Sequence, residues 1–388
     1  MKRVVLGMIG SGFASELHLN ALRRVSGVEV DVKAVAGSRQ KEQLSLFAVR
    51  HGVRDIYADY RELLSDGEID VADICTPPAL HESIAIEALE AGKHVIVEKP
   101  LTGYFYEDAQ PGRAVSGAHM YGRVLEKLGR VRAAAERSGK LFMYAENWVY
   151  MPVVQKAAEL LSARKNKILY MHGEESHSGS HAAHAANWRF SGGGALIRQG
   201  CHPISAMLYL KGVEAASRGE TTAIKSVTCE TGFTAACLTD AEKRYIVSRP
   251  VDVEDIADLI MTFSDGSKAH VVSADMLVGG KKNCLDVCTN DAVYRCKTNP
   301  NDAMTVFHAD EGGLEDVHFT EKLGTKQGWQ YIAVEDDVMR GYLAELQDFM
   351  ECAATGRQPL SGIDIAYDTA RVIYAAYRSA EEGRRIAL

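Results

Sequence analysis

The chain has 388 residues, enough for two or three domains, and carries 44 basic against 52 acidic side chains for a formal net charge of −8. That balance argues against a nucleic-acid or acidic-membrane partner, since binding phosphates takes a basic field, and in favour of a small polar ligand. Eight cysteines, at 75, 201, 229, 237, 284, 288, 296 and 352, form no CxxC pair and read as reduced thiols. No stretch has the apolar length of a secretory leader or a membrane span, so a cytoplasmic protein is expected.

Arg3 to Ile9 reads as a short apolar strand running into Gly10-Ser11-Gly12-Phe13-Ala14-Ser15, after which Leu17, Leu19, Ala21 and Leu22 mark a helix face. Strand, glycine turn and helix together let the backbone approach a pyrophosphate, with the helix N–H groups facing its charge. Gly10, Gly12, Phe13 and Ala14 are therefore candidate cofactor contacts, with Ser15 where the third small residue belongs. A second strand, Asp31 to Ala36, ends in Gly37-Ser38-Arg39. An acid there would bond the adenosine ribose of NAD and repel the 2′-phosphate of NADP; Ser38 and Arg39 offer a hydroxyl and a guanidinium instead. NADP is thus favoured over NAD, the alternative being that Arg39 is only a solvated helix-start residue.

A helix at Tyr60 to Leu64 and a strand at Val71 to Cys75 lead to Thr76-Pro77-Pro78, then a helix from His81 to Ala91 stops at Gly92. Val95-Ile96-Val97 forms the next strand and breaks off at Glu98-Lys99-Pro100, since proline cannot continue a ladder. Ligands of open α/β sheets bind beyond the carboxyl ends of the strands, which puts Lys99 at the rim of a crevice. This alternation predicts an α/β Rossmann-type domain with a parallel, doubly wound sheet over residues 1–146. Residues 102–127 read as an inserted loop, either a lid, an oligomer contact or a surface excursion. A helix through Arg132 to Arg137 and a strand at Leu141 to Ala145 finish the domain, with Glu146-Asn147-Trp148 on the ligand side.

Residues 147–388 read as an α+β domain. Ile168 to His172, Asp258 to Phe263, Lys268 to Ser273, Asn283 to Cys288 and Val293 to Cys296 form consecutive strands, hence a large, mainly antiparallel sheet. Its open face is expected to cover the cofactor crevice and to suit a homodimer or homotetramer. The polar constellation lies here: Glu175-Ser176-His177 onward to His181 and His184, Asn187-Trp188-Arg189, and the run from Gly192 through Arg198 to Gly200-Cys201-His202. Spaced histidines without a fixed carboxylate or thiolate suit sugar hydroxyls better than a metal, so no metal is expected. Asn147, His181, His184 and Trp188 are assigned to substrate, with a core role for Trp188 equally open. His202 is held rigidly at the first turn of a helix marked by Ile204, Met207, Leu208 and Leu210, and is either a site residue or a core histidine satisfied by backbone.

Gly10-Ser11-Gly12, Thr76-Pro77-Pro78, His81, Glu98-Lys99-Pro100, Trp188-Arg189, the triple glycine at 192–194, Gly200 with His202, and Gly356-Arg357-Gln358-Pro359 before a helix Ile363 to Glu382 together resemble the Gfo/Idh/MocA oxidoreductase family. The resemblance implies an NAD(P)-dependent dehydrogenase acting on a hydroxyl or keto carbon of a sugar, glycoside or cyclitol. Thr76, Pro77, His81, Glu98 and Lys99 would then line the cofactor, with Lys99 beside the nicotinamide at a cis Lys–Pro bond, His202 as proton relay, and the last helix packed back on the first domain. Where the family carries an acid four residues before the histidine, this chain has Arg198, which would bind an acidic or keto substituent or point away. The segment 177–184 also resembles a subgroup acting on glycosides and anhydrosugars. A redox-neutral, nicotinamide-dependent glycosidase and a non-catalytic sugar-binding regulator remain as alternatives.

Overall fold

Val71, Ala72, Val95, Ile96 and Val97 are fully buried because their strands lie mid-sheet with both faces covered, each valine or isoleucine side chain contributing roughly 1.5–3 kcal/mol. The computed structural model describes all residues except 1, 38–40, 110–114, 181, 299–303, 316, 318–324 and 333–334. The first unit runs β1 (Arg3–Ile9), α1 (Phe13–Leu22), β2 (Glu29–Ala36), α2 (Lys41–His51), β3 (Asp55–Tyr57), α3 (Tyr60–Ser65), β4 (Val71–Ile74), α4 (His81–Glu90), β5 (His94–Glu98), α5 (Gly117–Ser138) and β6 (Phe142–Ala145). Its sheet has the order β3-β2-β1-β4-β5-β6 with every pairing parallel, the doubly wound arrangement the sequence predicts.

The loop expected over 102–127 is corrected: Gly117 onward belongs to the 22-residue α5, capped by the Ser116 hydroxyl and closed by Gly139. Gly117 is required by packing, since a Cβ there would lie 2.8 Å from the Arg378 Cα.

The second unit continues with α6 (Asn147–Tyr150), α7 (Pro152–Arg164), β7 (Ile168–Ser176), α8 (Trp188–Ser191), α9 (Cys201–Arg218), β8 (Ile224–Gly232), β9 (Ile256–Phe263), β10 (Lys268–Ala274), β11 (Lys282–Thr289) and β12 (Val293–Lys297). A two-stranded ribbon, β13 (Met304–His308) with β14 (Gly328–Ile332), precedes α10 (Asp336–Met339), α11 (Tyr342–Thr355), α12 (Ile363–Glu382) and β15 (Ile386–Ala387). The larger sheet has the order β12-β11-β7-β10-β9-β8-β15 and is antiparallel except between β10 and β7.

One face of this sheet carries α9, so close at Gly173 that a Cβ would meet Met207 and Pro203 at 2.7 and 2.8 Å. The other face leaves Tyr170 and Ile260 about two-fifths exposed. The crevice is therefore met by the end of β7 and the start of α9 rather than by the open face, which corrects that expectation. Helix α12 lies against α5 and β8, and its Tyr374 hydroxyl accepts from Tyr104 N (2.7 Å) and donates to Gly192 O (2.6 Å), tying the two units together. Among the described residues no helix is long and apolar enough to cross a membrane.

Candidate active site

Gly10 follows β1 with φ +114°, and a Cβ there would fall 2.4 Å from Cys75 O, so the turn from β1 into α1, packed against the end of β4, admits only glycine. Gly12 caps α1 without a side-chain hydrogen bond, and a Cβ at Gly12 would meet nothing within 4 Å. Helix N–H groups without a side-chain cap, beside a buried Thr76 hydroxyl that has no hydrogen-bond partner among the described residues, fit the pyrophosphate end of a dinucleotide.

From this turn a cavity of about 340 Å³ runs between the two units. The first unit supplies Phe13, Ala14, Thr76, Pro78, His81, Glu98 and Lys99; the second supplies Glu175, His177, His184, Arg198, Gln199 and His202, with Lys281, Arg340 and Tyr342. Lys99 and His202, 103 positions apart in sequence, thus share one cavity.

Lys99 leaves the carboxyl end of β5 at a cis Lys99–Pro100 peptide, and its Nζ donates to Arg198 O at 3.0 Å. Burial alone would lower this amine, but Glu98, Glu175 and Glu146 outweigh it and hold the ammonium above the usual lysine range. The neighbouring Cys201 thiol is itself pushed well up by burial and stays neutral, so the carboxylates carry the effect. Behind Glu98 lies His18, wholly buried, with Nδ1 3.0 Å from both Asp73 oxygens and Nε2 3.4 Å from Glu98 Oε1. Burial opposes its charge, yet Asp73 and Cys75 raise His18 well above the ordinary imidazole value. Burial likewise works against the Glu98 carboxylate, and His18 with Lys99 keeps it below the usual range.

His202 stands in the first turn of α9, after a π-turn over Leu196–Gly200 that follows the triple glycine. That triple glycine is held by Glu254, which accepts from Gly194 N and Leu196 N, each at 2.9 Å, and from the Tyr377 hydroxyl. The His202 ring stacks on Trp148 at 6.1 Å and 16°, and its Nδ1 donates to Glu146 Oε1 at 2.5 Å. Its Nε2 lies 3.9 Å from Glu175 Oε2, an oxygen that is buried without a hydrogen-bond partner.

Arg198 lines the cavity but is bonded to Asp275 through Nη2 and to Gly194 O through Nε at 3.1 Å. Gln199 bonds the other Asp275 oxygen and lies 3.1 Å from His177 Nε2. The substitution for the family acid therefore places an internal ion pair beside the cavity.

Other predicted contacts fall differently. Asn147 turns away and donates to Arg340 O (2.8 Å), and Trp188 donates its indole N–H to Tyr104 O (2.9 Å) while packing on Tyr106 and Tyr377; neither lines the cavity. Each of these two side chains thus satisfies a backbone carbonyl, that of Arg340 at the cavity wall for Asn147 and that of Tyr104 for Trp188. His81 borders the cavity, yet its ring nitrogens stand 2.8 Å from Pro100 O and 2.7 Å from Thr76 O, so it locks the two strand ends together. Pro78 rather than Pro77 reaches the wall. Ser38, Arg39 and His181 lie outside the described residues. His177, read with the spaced histidines, lines the cavity as well, while Glu146, Glu175, Gln199, Lys281, Arg340 and Tyr342 are additions to the assigned contacts. The carboxyl ends of β6 and β7 were a signal for the first two, whereas the rest come from loops and turns without periodicity. As for metals, Glu146, Cys201 and His202 have ligand atoms within 4.8 Å of one another, but Glu146 and His202 are already bonded to each other.

The family model described as "Oxidoreductase family, NAD-binding Rossmann fold" matches residues 4–112, and its companion, "Oxidoreductase family, C-terminal alpha/beta domain", matches residues 165–388. The chain belongs to the Gfo/Idh/MocA oxidoreductase family. Among curated Gfo/Idh/MocA relatives, the uncharacterized oxidoreductase YrbE of Bacillus subtilis is 35% identical over 29% of this chain and 33% of its own length. Levoglucosan dehydrogenase of Pseudarthrobacter phenanthrenivorans is 29% identical over 70% of this chain and 67% of its own. The chain thus spans about a third to two thirds of these relatives. The fold matches along the whole chain that of GenD2 from gentamicin A biosynthesis, solved in complex with NAD, with TM-score 0.79, 24% identity and coverage of 100% and 97%. It also matches scyllo-inositol dehydrogenase from Lactobacillus casei, solved with NAD(H) and scyllo-inositol, with TM-score 0.74, 14% identity and coverage of 100% and 99%. As a Gfo/Idh/MocA protein, the chain is an oxidoreductase with an NAD-binding Rossmann fold.

Proposed function

We propose that this protein transfers hydride between a nicotinamide dinucleotide and a secondary alcohol or keto carbon of a sugar, glycoside or cyclitol, with Lys99 and His202 as catalytic residues. The observation that carries this reading is the meeting of the two side chains, one from each unit, in a cavity that opens on the glycine turn. The Gly10–Ala14 turn, Thr76 and Glu98 would hold the dinucleotide, which supplies the hydride acceptor or donor. Removing hydride from a carbinol carbon requires that the hydroxyl proton leave as well. An ammonium held above the usual range cannot act as base; Lys99 spends one proton on Arg198 O and keeps two for the substrate oxygen, which it polarises. His202 then takes the proton in oxidation and returns it in reduction. Glu175, His177 and His184 face the same cavity and suit paired hydroxyls.

Levoglucosan dehydrogenase, a relative named for an anhydrosugar, supports the glycoside and anhydrosugar reading of segment 177–184. The missing acid after β2, with Ser38 and Arg39 in its place, supports NADP over NAD. The uncovered face of the second sheet supports a homodimer or homotetramer. The test is a panel of anhydrosugars, pyranosides and inositols, each with NAD⁺ and with NADP⁺, followed by the absorbance of reduced nicotinamide. Turnover on at least one polyol is expected. Glycoside cleavage without net absorbance change would make the protein a redox-neutral glycosidase, and binding without either reaction would make it a sensor.

A further inference from the structure

The family acid four residues before the histidine is absent, and the arginine in its place is committed to Asp275. A relay histidine with no acid partner would be free to adopt either tautomer and to rotate. Here another acid reaches it. Glu146 follows β6 of the first unit, is wholly buried, and accepts from His202 Nδ1 at 2.5 Å across the interdomain boundary. Its hold is fixed at both ends: the same oxygen caps Trp148 N at 3.4 Å, and the Trp148 ring stacks on the imidazole.

Building on the dehydrogenase reading above, we propose that Glu146 is the positioning acid of His202, reaching it from the dinucleotide domain. An ionised carboxylate only accepts, so the bond places the proton on Nδ1 and leaves the Nε2 lone pair for the substrate. In oxidation the carbinol C–H bond breaks and its hydride, with both electrons, passes to the oxidised nicotinamide. The O–H bond breaks, its proton goes to His202 Nε2, and the carbon–oxygen double bond forms. The imidazolium so produced lies between Glu146 and Glu175, whose Oε2 stands 3.9 Å from Nε2 and is the next acceptor as the proton leaves. Arg198 is thereby released from the relay, and the chain keeps a histidine and an acid although the sequence motif has lost one.

The test compares wild type, Glu146→Gln, Glu146→Asp and His202→Gln as cofactor-loaded full chains. Glu146→Gln keeps the volume but can present its amide N–H₂ to Nδ1 and so hold the wrong tautomer. The expected result is a kcat lower by on the order of a hundredfold or more with KM and cofactor affinity within about threefold, a larger solvent deuterium isotope effect, and partial recovery in Glu146→Asp. In proton NMR the wild type should show a strongly downfield imidazole N–H resonance that is lost in both His202→Gln and Glu146→Gln. A Glu146→Gln enzyme with kcat within about threefold of wild type, or a wild type with no His202-dependent downfield resonance, overturns the proposal. The resonance needs no substrate, so it judges the Glu146–His202 pair even if no polyol is oxidised and the dehydrogenase reading itself falls.

Discussion

Replacing Arg198 with leucine separates the structural role of this residue from a substrate-binding one. Asp275 is fully buried, and its carboxylate is met by Arg198 on one oxygen and by Gln199 on the other. Arg198→Leu therefore strands a buried charge with one amide donor, a change that costs about 3–5 kcal/mol when a partner is removed from a buried pair. The Arg198 side chain is 17% exposed at the cavity wall, where water can reach the gap, so the lower end applies: about 3 kcal/mol, or roughly a hundredfold in the folding equilibrium. The double variant Arg198→Leu/Asp275→Asn removes the stranded charge and should recover most of the loss. Urea unfolding followed by fluorescence of the three tryptophans measures both, with Tm as a second reading. The double variant should also keep its sugar KM if the guanidinium serves only Asp275. A loss below about 1 kcal/mol in the single variant, or no recovery in the double, would refute the reasoning.

Lys99→Ala should lower kcat on the order of a hundredfold or more while dinucleotide affinity, measured by fluorescence titration, stays nearly intact. Glu345 on α11 is wholly buried, neither carboxylate oxygen has a hydrogen-bond partner among the described residues, and burial pushes it well above the ordinary glutamate range. The folded state thus holds this proton more tightly than the unfolded one, and the stability so gained is complete below about pH 4.3 and lost as pH rises toward the folded value. Glu345→Met should accordingly raise stability by about 1–3 kcal/mol at pH 8, with the gain shrinking toward pH 5 in thermal melts; an equal gain at both pH values would contradict this. Arg39→Ala should reduce the ratio of kcat/KM for NADP to that for NAD by roughly tenfold or more, and an unchanged ratio would remove Arg39 from cofactor choice.

The parallel sheet was legible because strands buried on both faces appear as unbroken β-branched runs, and Val95-Ile96-Val97 shows this most plainly. Helix α12, Ile363 to Glu382, was expected from the resemblance to the family's closing segment, and the structure gives it the same ends. The first half of α5 was not legible, because Gly117, Gly122 and Gly129 lower local propensity. Tertiary packing overrides them: Val124, Leu128 and Val131 are buried, and Gly117 is a point of close approach to α12.

At the site, the strand-end positions of Lys99 and the glycine turn could be read from the sequence, while the place of Lys99 beside a nicotinamide came only with the family resemblance. The partner of His202 could not, since Glu146 lies 56 residues away and meets it only when the two units close on each other. Trp188 stayed open for a related reason: an indole suits a sugar face and an interdomain core equally well, and the Tyr104 carbonyl opposite its N–H is visible only in the folded chain.

The central claim is that hydride passes directly between a sugar carbon and a nicotinamide in the cavity shared by Lys99 and His202. Its most direct measurement uses a substrate from the polyol panel carrying deuterium on the oxidised carbon, with mass spectrometry of the reduced dinucleotide after a single turnover. The account predicts one deuterium in the nicotinamide ring, transferred by wild type and far more slowly by Lys99→Ala. Reduced dinucleotide without deuterium, or unchanged transfer in Lys99→Ala, would contradict it.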